Sequence, residues 1–315
     1  MNNMLPMLER ADVTNVARSK IWLLGQPHLH DYIRFVREEV IGGHLADPRL
    51  LADEWREAND YYHDLEEQEA GIADEIECRD LDPSLEPLAA QVRADSRFRC
   101  TFDTFPTSFG MVQLDRLVVY QTHVTKQFVD TLASELGPSP DVGRLFAFSL
   151  PIEREEADVQ VQRIGRRRYV FSSDSTDLRT HEPVLLQAEQ ISDYKTFGTI
   201  GGVVGLVVGF GSNFLNAVRA DDRLILKNGY HRACAMRALG ITHAPCIVQT
   251  VTRRDELSLA ASRVVADAPE FYCSSRRPPL LKDFFDPRIR KVLPVRRARK
   301  MVEVRFKMRE FHVLE

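Results

Sequence analysis

The stretch LILKNGYHRACAMRALG, residues 224–240, joins an apolar run to a helical pattern through Asn228-Gly229, and Tyr230, His231 and Arg232 follow the glycine at once. An Asn-Gly pair permits a tight turn with positive φ. A helix that begins at Tyr230 leaves its first backbone N–H groups without internal partners and puts the positive end of its dipole there. Strand, glycine turn and helix start together make an anion site. His231 and Arg232 fall in the first turn, where basic side chains are unfavourable unless an anion offsets them. Arg232 can add a bidentate contact to a phosphate. Taken singly, Gly229 reads as a turn glycine, Arg232 as a solvated helix residue beside Asp221 or Asp222, and His231 as the cap of a neighbouring loop. Their coincidence at one helix start points to phosphate binding.

Further residues are candidates for the same site. Lys227 and Asn228 precede the glycine, and Lys227 has the reach to meet a phosphate. Ser212 and Asn213 follow a glycine-rich apolar run in the loop FGSN, a place where backbone can approach a ligand. As a catalytic candidate the motif itself offers His231. Asp174 and Asp177 in SSDSTDLR read as turn residues. In the N-terminal half, Asp60 and His63 stand three apart with Glu57, Glu66 and Glu67 nearby, yet no second such pair completes a carboxylate–histidine metal centre. We read them as a polar helix face, and no metal ligand is assigned.

Gly229-Tyr230-His231-Arg232-Ala233-Cys234-Ala235, closing on Leu239-Gly240 before a further strand, resembles the phosphate-binding element of the ParB/sulfiredoxin-like superfamily. Sulfiredoxins carry Gly-Cys-His-Arg between a strand and a helix, where ATP phosphates sit; ParB proteins bind CTP at the same place. The resemblance spans about residues 183–260 and implies an α/β (α+β) mixed-sheet core. It further implies a nucleoside triphosphate with Mg2+ as cofactor, and a nucleotide or other phosphorylated small molecule as partner. Where sulfiredoxins place their nucleophilic Cys this chain has Tyr230, which argues against sulfinic acid reduction. Cys234 reads as a packed core thiol, and no helix-turn-helix follows the motif. Kinases of this fold place a carboxylate in the region of Glu189, so the resemblance implies Glu189 as a general base or metal ligand, against its plain reading as an exposed surface residue.

The elements that position the motif fall into two expected regions. Residues 1–140 read as helical: one helix near 28–40 ending at Gly42-Gly43, one from Asp47-Pro48 to Gly71, and a long one over 112–136 with Leu114, Leu117, Val118, Phe128 and Leu132 in a stripe. Residues 141–315 read as the α/β region. Its expected strands are LFAFSLPI, VQVQRI and RRYVFSS with a turn at Gly165, VLLQAEQI, a buried VVGLVVGF, a hairpin turning at residues 220–222, and APCIVQTV. DELSLAASRVV reads as a helix. The 315 residues carry a net charge of -4, so the chain as a whole is no polycation. The segment from Arg276 to Arg309 is nevertheless basic, with thirteen Lys or Arg against three acids. Five cysteines without a CxxC pair fit a reducing cytoplasm. The start, MNNMLPMLER, shows no secretory pattern. The apolar run near 200–210 is too short for a membrane span, so no membrane partner is expected.

These features lead to a phosphate- or nucleotide-binding protein, with phosphoryl transfer or nucleotide hydrolysis as the simplest catalytic use. One alternative is a ParB-like DNA-binding protein or nuclease whose basic C-terminal segment meets nucleic acid. The other is a non-catalytic protein-interaction module.

Overall fold

A computed structural model describes residues 18–26, 28–74, 76–153, 157–175, 177–181, 183–191 and 198–313; the N-terminal start read above lies outside them. Along the chain run β1 (Arg18–Leu23), α1 (Leu29–Glu39), α2 (Pro48–Gln68), β2 (Cys78–Arg79), α3 (Glu86–Ala94), α4 (Ser96–Thr101), β3 (Thr107–Gln113), β4 (His123–Thr125), α5 (Lys126–Leu136) and α6 (Val142–Ser149). Short strands follow: β5 (Gln160–Gly165), β6 (Arg168–Ser173), β7 (Arg179–Thr180), β8 (Val184–Leu186), β9 (Val203–Gly205) and β10 (Val208–Gly209). The chain ends with β11 (Asn216–Ala220), β12 (Arg223–Asn228), α7 (Tyr230–Ala238), β13 (His243–Thr250), α8 (Leu257–Ala260), α9 (Arg263–Asp267), β14 (Arg290–Val295) and β15 (Lys300–Arg305). The content is mixed α and β in open sheets, an α+β architecture.

The chain forms two compact units, Met1–Ile152 with Asn213–Arg297, and Glu153–Ser212 with Ala298–Glu315. They do not follow the expected division near residue 140. Strand pairing explains why: the N-terminal region supplies β2 and β3 to the five-stranded sheet β12-β11-β13-β3-β2, and β1 and β4 to the sheet β14-β1-β4. Among the described residues the N-terminal helices are thus joined by strands to the sheets of the α/β region.

In the first unit β13 is the central strand, parallel to β11 and antiparallel to β3. Its interior residues Ala244 to Val248 form a continuous buried run, as expected of a strand covered on both faces. β11 and β12 form the hairpin read from the sequence, turning through Asp221 at positive φ. Ala233, Met236 and Cys234 of α7 pack into the same core as Leu224, Leu226 and Val248.

Four expected elements differ. Residues 112–136 are not one helix: Leu117, Val118 and Val119 are extended and wholly buried, and Val118 pairs with β12, its N–H donating to Leu224 O at 2.9 Å and its carbonyl accepting from the Leu226 N–H at 2.8 Å. Three consecutive buried residues need cover on every side, and the β-branched pair favours extended backbone. The first five residues of LFAFSLPI are helical in α6, which Asp141 caps by accepting from the Arg144 N–H at 2.8 Å. VVGLVVGF is not one buried strand but the short β9 and β10, each in a two-stranded pairing with part of its apolar surface exposed; its interspersed glycines supply no side chains to pack. DELSLAASRVV breaks between α8 and α9, where Ser262 caps the second.

The second unit holds the three-stranded antiparallel sheet β15-β6-β5 and the pairs β8-β9 and β10-β7. Its β5–β6 hairpin turns at Gly165 as the sequence indicates.

Candidate functional site

The buried residues Leu224, Ile225 and Leu226 carry β12 to Asn228, and Gly229 then reverses the backbone at φ +92°. A Cβ at this position would stand 2.6 Å from Leu215 Cδ1 and 3.0 Å from Leu215 Cα, so both the conformation and the space demand glycine. α7 begins directly, and the Ala233 N–H makes the first helical bond to Gly229 O at 2.9 Å. No side chain caps this start and no acid stands in its first turn. The strand, turn and helix start are those expected from the sequence.

The side chains of the motif are arranged otherwise than a simple phosphate cradle would have them. Tyr230 is buried; its hydroxyl donates to Leu226 O at 2.7 Å and accepts from the N–H groups of Tyr120 at 3.2 Å and Gln121 at 3.4 Å. It fastens the turn to the extended segment before β4. The His231 Nε2 accepts the Thr125 N–H at 3.0 Å, and its ring lies 5.0 Å from that of Phe128. Burial, helped by the Arg232 charge, lowers the His231 pKa to about 4. An imidazole that accepts at Nε2 is neutral with its proton on Nδ1. His231 therefore brings no positive charge to the helix start at neutral pH, contrary to the sequence reading, and its Nε2 is engaged in holding backbone. Arg232 is buried too, and its Nη1 donates to Ser149 O at 3.3 Å.

The remaining candidates divide between the two units. Lys227 and Asn228 are half-buried; the Lys227 carbonyl accepts from the Tyr120 hydroxyl at 3.2 Å, and Asn228 Nδ2 donates to Phe214 O at 3.2 Å. Asn213, at φ 57°, occupies the left-handed region just before the buried Phe214. These belong to the first unit, with the motif. Ser212 and Glu189 belong to the second unit, where Glu189 is exposed on a short helical turn, Ala188–Gln190. Neither takes part in building the turn. His63 pairs with Glu66 at 2.9 Å on the exposed side of α2, the polar face expected there.

One feature escaped the sequence reading. Thr125, whose N–H meets His231, is the residue before α5, and Phe128 in the first turn of α5 packs on the same ring. α5 runs alongside α7 from start to start, with Val129, Leu132 and Leu136 in the shared core. Two helix N-termini thus lie together. α5 has no side-chain cap and no acid in its first turn, and Lys126 is its first residue. Each helix end carries about half a positive charge, so neighbouring ends repel unless an anion lies between them. The visible signal was the lack of any acid in TKQF, hidden because the stripe over 112–136 runs through it.

The donor set suits a phosphate group: backbone N–H groups, Lys126, and no carboxylate in either first turn. It offers no resident metal site, and among the described residues no group of three His, Cys, Asp or Glu is placed to hold a metal ion. Cys234 and Cys246 are buried, and burial pushes both thiols well above their ordinary range, so neither is a nucleophile.

A second polar centre lies at the far end of α7. A cavity of about 370 Å3 is lined by Tyr61, Glu69, Arg237, Lys282 and Asp286, among others. The fully buried Arg277 makes two hydrogen bonds to Asp283 at 2.8 and 2.6 Å, and Glu69 joins Arg277 and Lys282. Arg237 pairs with Asp115 at 2.6 Å. These partners belong to the fold, and we read this centre as structural.

The basic C-terminal segment is not one patch. Arg277 is buried against Asp283, Lys282 pairs with Glu69, Lys291 with Glu54, Arg299 with Asp174 and Arg305 with Glu303. No protein-family model, curated protein or solved structure matches the chain. Among the described residues no helix is long and apolar enough to cross a membrane.

Proposed function

We propose that the protein binds a nucleotide or another phosphorylated small molecule, with its phosphate at the adjoining starts of α5 and α7. The observation that carries this reading is the side-by-side placement of two uncapped helix N-termini, joined through His231 and Thr125, with no acid in either first turn. A dianionic group there relieves the repulsion between like dipole ends and accepts from backbone N–H groups. The side chains of Tyr230 and His231 act as positioning residues: the first pins the turn, the second pins α5 to α7. Lys126, half-exposed, is the cation free to swing from its Asp130 partner toward a ligand. Mg2+ would come with the polyphosphate, held by its oxygens, and would neutralise phosphate charge. The likeness of Gly229-Tyr230-His231-Arg232 to the ParB/sulfiredoxin-like element supports the same ligand class.

The test is thermal unfolding of wild type and Lys126→Glu with ATP, CTP, GTP or pyrophosphate, each with Mg2+. Specific binding at 100 times the dissociation constant stabilises the wild type by about 2.7 kcal/mol. The introduced carboxylate at the helix start abolishes that gain without disturbing the buried contacts. Equal midpoints with and without every ligand contradict the proposal.

A further inference from the structure

The second unit carries a different surface, built from other residues than the phosphate site. In the β15-β6-β5 sheet, strand register sets out two rows on one face: Val161, Phe171 and Val302, then Arg163, Tyr169 and Val304. Phe306 extends this face past β15; its N–H donates to Arg167 O at 3.0 Å, and its ring meets Tyr169 edge-on at 6.0 Å. Lys300 lies beside Ser173 at the other end of the same face. Alternation sends Glu303 to the opposite face with Arg168 and Arg305, and all three are ion-paired there.

The two faces differ in a telling way. The opposite face neutralises its cations with its own carboxylate. The aromatic face has Tyr169, Phe171 and Phe306, with Arg163 and Lys300 at its margins and Arg166 and Arg167 exposed at the hairpin tip. No row of this face contains an acid, and no described carboxylate pairs with Arg163, Arg166, Arg167 or Lys300. Arg163 donates instead to the Gly165 carbonyl, holding its guanidinium beside the tip. Phe306 is 41% exposed and Val161 56% exposed, while Tyr169 and Phe171 are half-buried and Ser173 is buried, so the face is open along its margins and at the hairpin end.

Rings on an open antiparallel sheet, rimmed by cations, match one partner chemistry: unpaired bases that stack on the rings while phosphates meet the cations. The rim carries one sign of charge, which a polyanion complements better than a surface of mixed charge, and rings on a sheet suit stacked bases. We propose that this face binds single-stranded nucleic acid, with Tyr169 and Phe306 as the stacking platform and Arg163, Arg166, Arg167 and Lys300 as the phosphate-binding rim.

The experiment is fluorescence anisotropy of the full chain with a labelled oligothymidylate or oligouridylate across a salt series. Duplex DNA of equal length and phosphatidylserine vesicles serve as competitors. The single strand should bind with marked salt dependence. Arg163→Gln and Lys300→Gln should each lower the log–log salt slope by about 0.7. Tyr169→Leu and Phe306→Leu, which keep an apolar side chain on the sheet, should each weaken binding by about fivefold or more while leaving the slope unchanged. Unchanged thermal midpoints of the variants keep the comparison one of binding. Absence of single-strand binding at low salt overturns the proposal. So does full displacement by vesicles or duplex at equal charge, and so does unchanged affinity in both leucine variants.

Discussion

Replacing His231 with Gln should flatten the acid limb of the stability curve. Gln can offer its Oε1 to the Thr125 N–H that His231 Nε2 accepts at 3.0 Å, so the link between α5 and α7 survives. What disappears is a group whose folded pKa is lowered, by burial first and by Arg232 second, to about 4. Above pH 6.5 the imidazole is neutral in both folded and unfolded chains, and the stability it permits is fully present. Below pH 6.5 the unfolded chain binds a proton that the folded chain refuses, so stability falls with pH until the folded ring itself protonates near pH 4. The slope is about 1.4 kcal/mol per pH unit for one such group. Between pH 6.5 and pH 5, before most carboxylates titrate, His231 accounts for about 2 kcal/mol. His123, lowered to about 3 by burial and the neighbouring Lys20 and His231 charges, adds a second proton to the same limb. Urea unfolding at intervals over this window should show wild type losing about two protons' worth of slope and His231→Gln about one. Parallel curves would refute the neutral, accepting imidazole.

Other substitutions test the supports of the turn and the core. Gly229→Ala should destabilise by about 2 kcal/mol or more in urea unfolding, since it adds left-handed strain to a contact with Leu215. Tyr230→Phe should cost about 1–3 kcal/mol by the same assay, because Leu226 O and two N–H groups lose their partner. Arg277→Met leaves Asp283 buried without its cation and should cost about 3–5 kcal/mol, with much of that recovered by adding Asp283→Leu. In native protein a thiol reagent should label the exposed Cys100 first and reach Cys234 and Cys246 only after unfolding, as mass spectrometry of quenched samples would show.

The turn was legible because local chemistry decides it. Asn228-Gly229 fixes the backbone, the Leu224–Leu226 run needs burial, and Leu239-Gly240 ends the helix, with Gly240 at φ +80°. The same holds for the β11–β12 and β5–β6 hairpins. Non-local pairing hid the rest. The apolar spacing of Leu114, Leu117 and Val118 fits a helical stripe equally well as a buried extended strand, and only the partners Leu224 and Leu280 decide between them. α6 was misread because its Phe and Leu content outweighed the Asp141 cap. The chemistry of His231 was hidden for a related reason. A sequence shows a basic residue in a first turn, whereas the charge depends on what encloses the ring, and Thr125 lies more than a hundred positions away. The placement of α5 beside α7 was therefore beyond reach from the motif alone.

On our proposal a phosphate group binds where α5 and α7 begin. The most direct measurement is a titration of the 15N-labelled protein with pyrophosphate and Mg2+, following backbone amide resonances with sulfate as a control for ionic strength. The account predicts saturable shifts concentrated at Lys126 to Phe128 and Tyr230 to Arg232, absent in Lys126→Glu. Shifts that spread over the surface without saturation, or that leave these six amides unmoved, would contradict it.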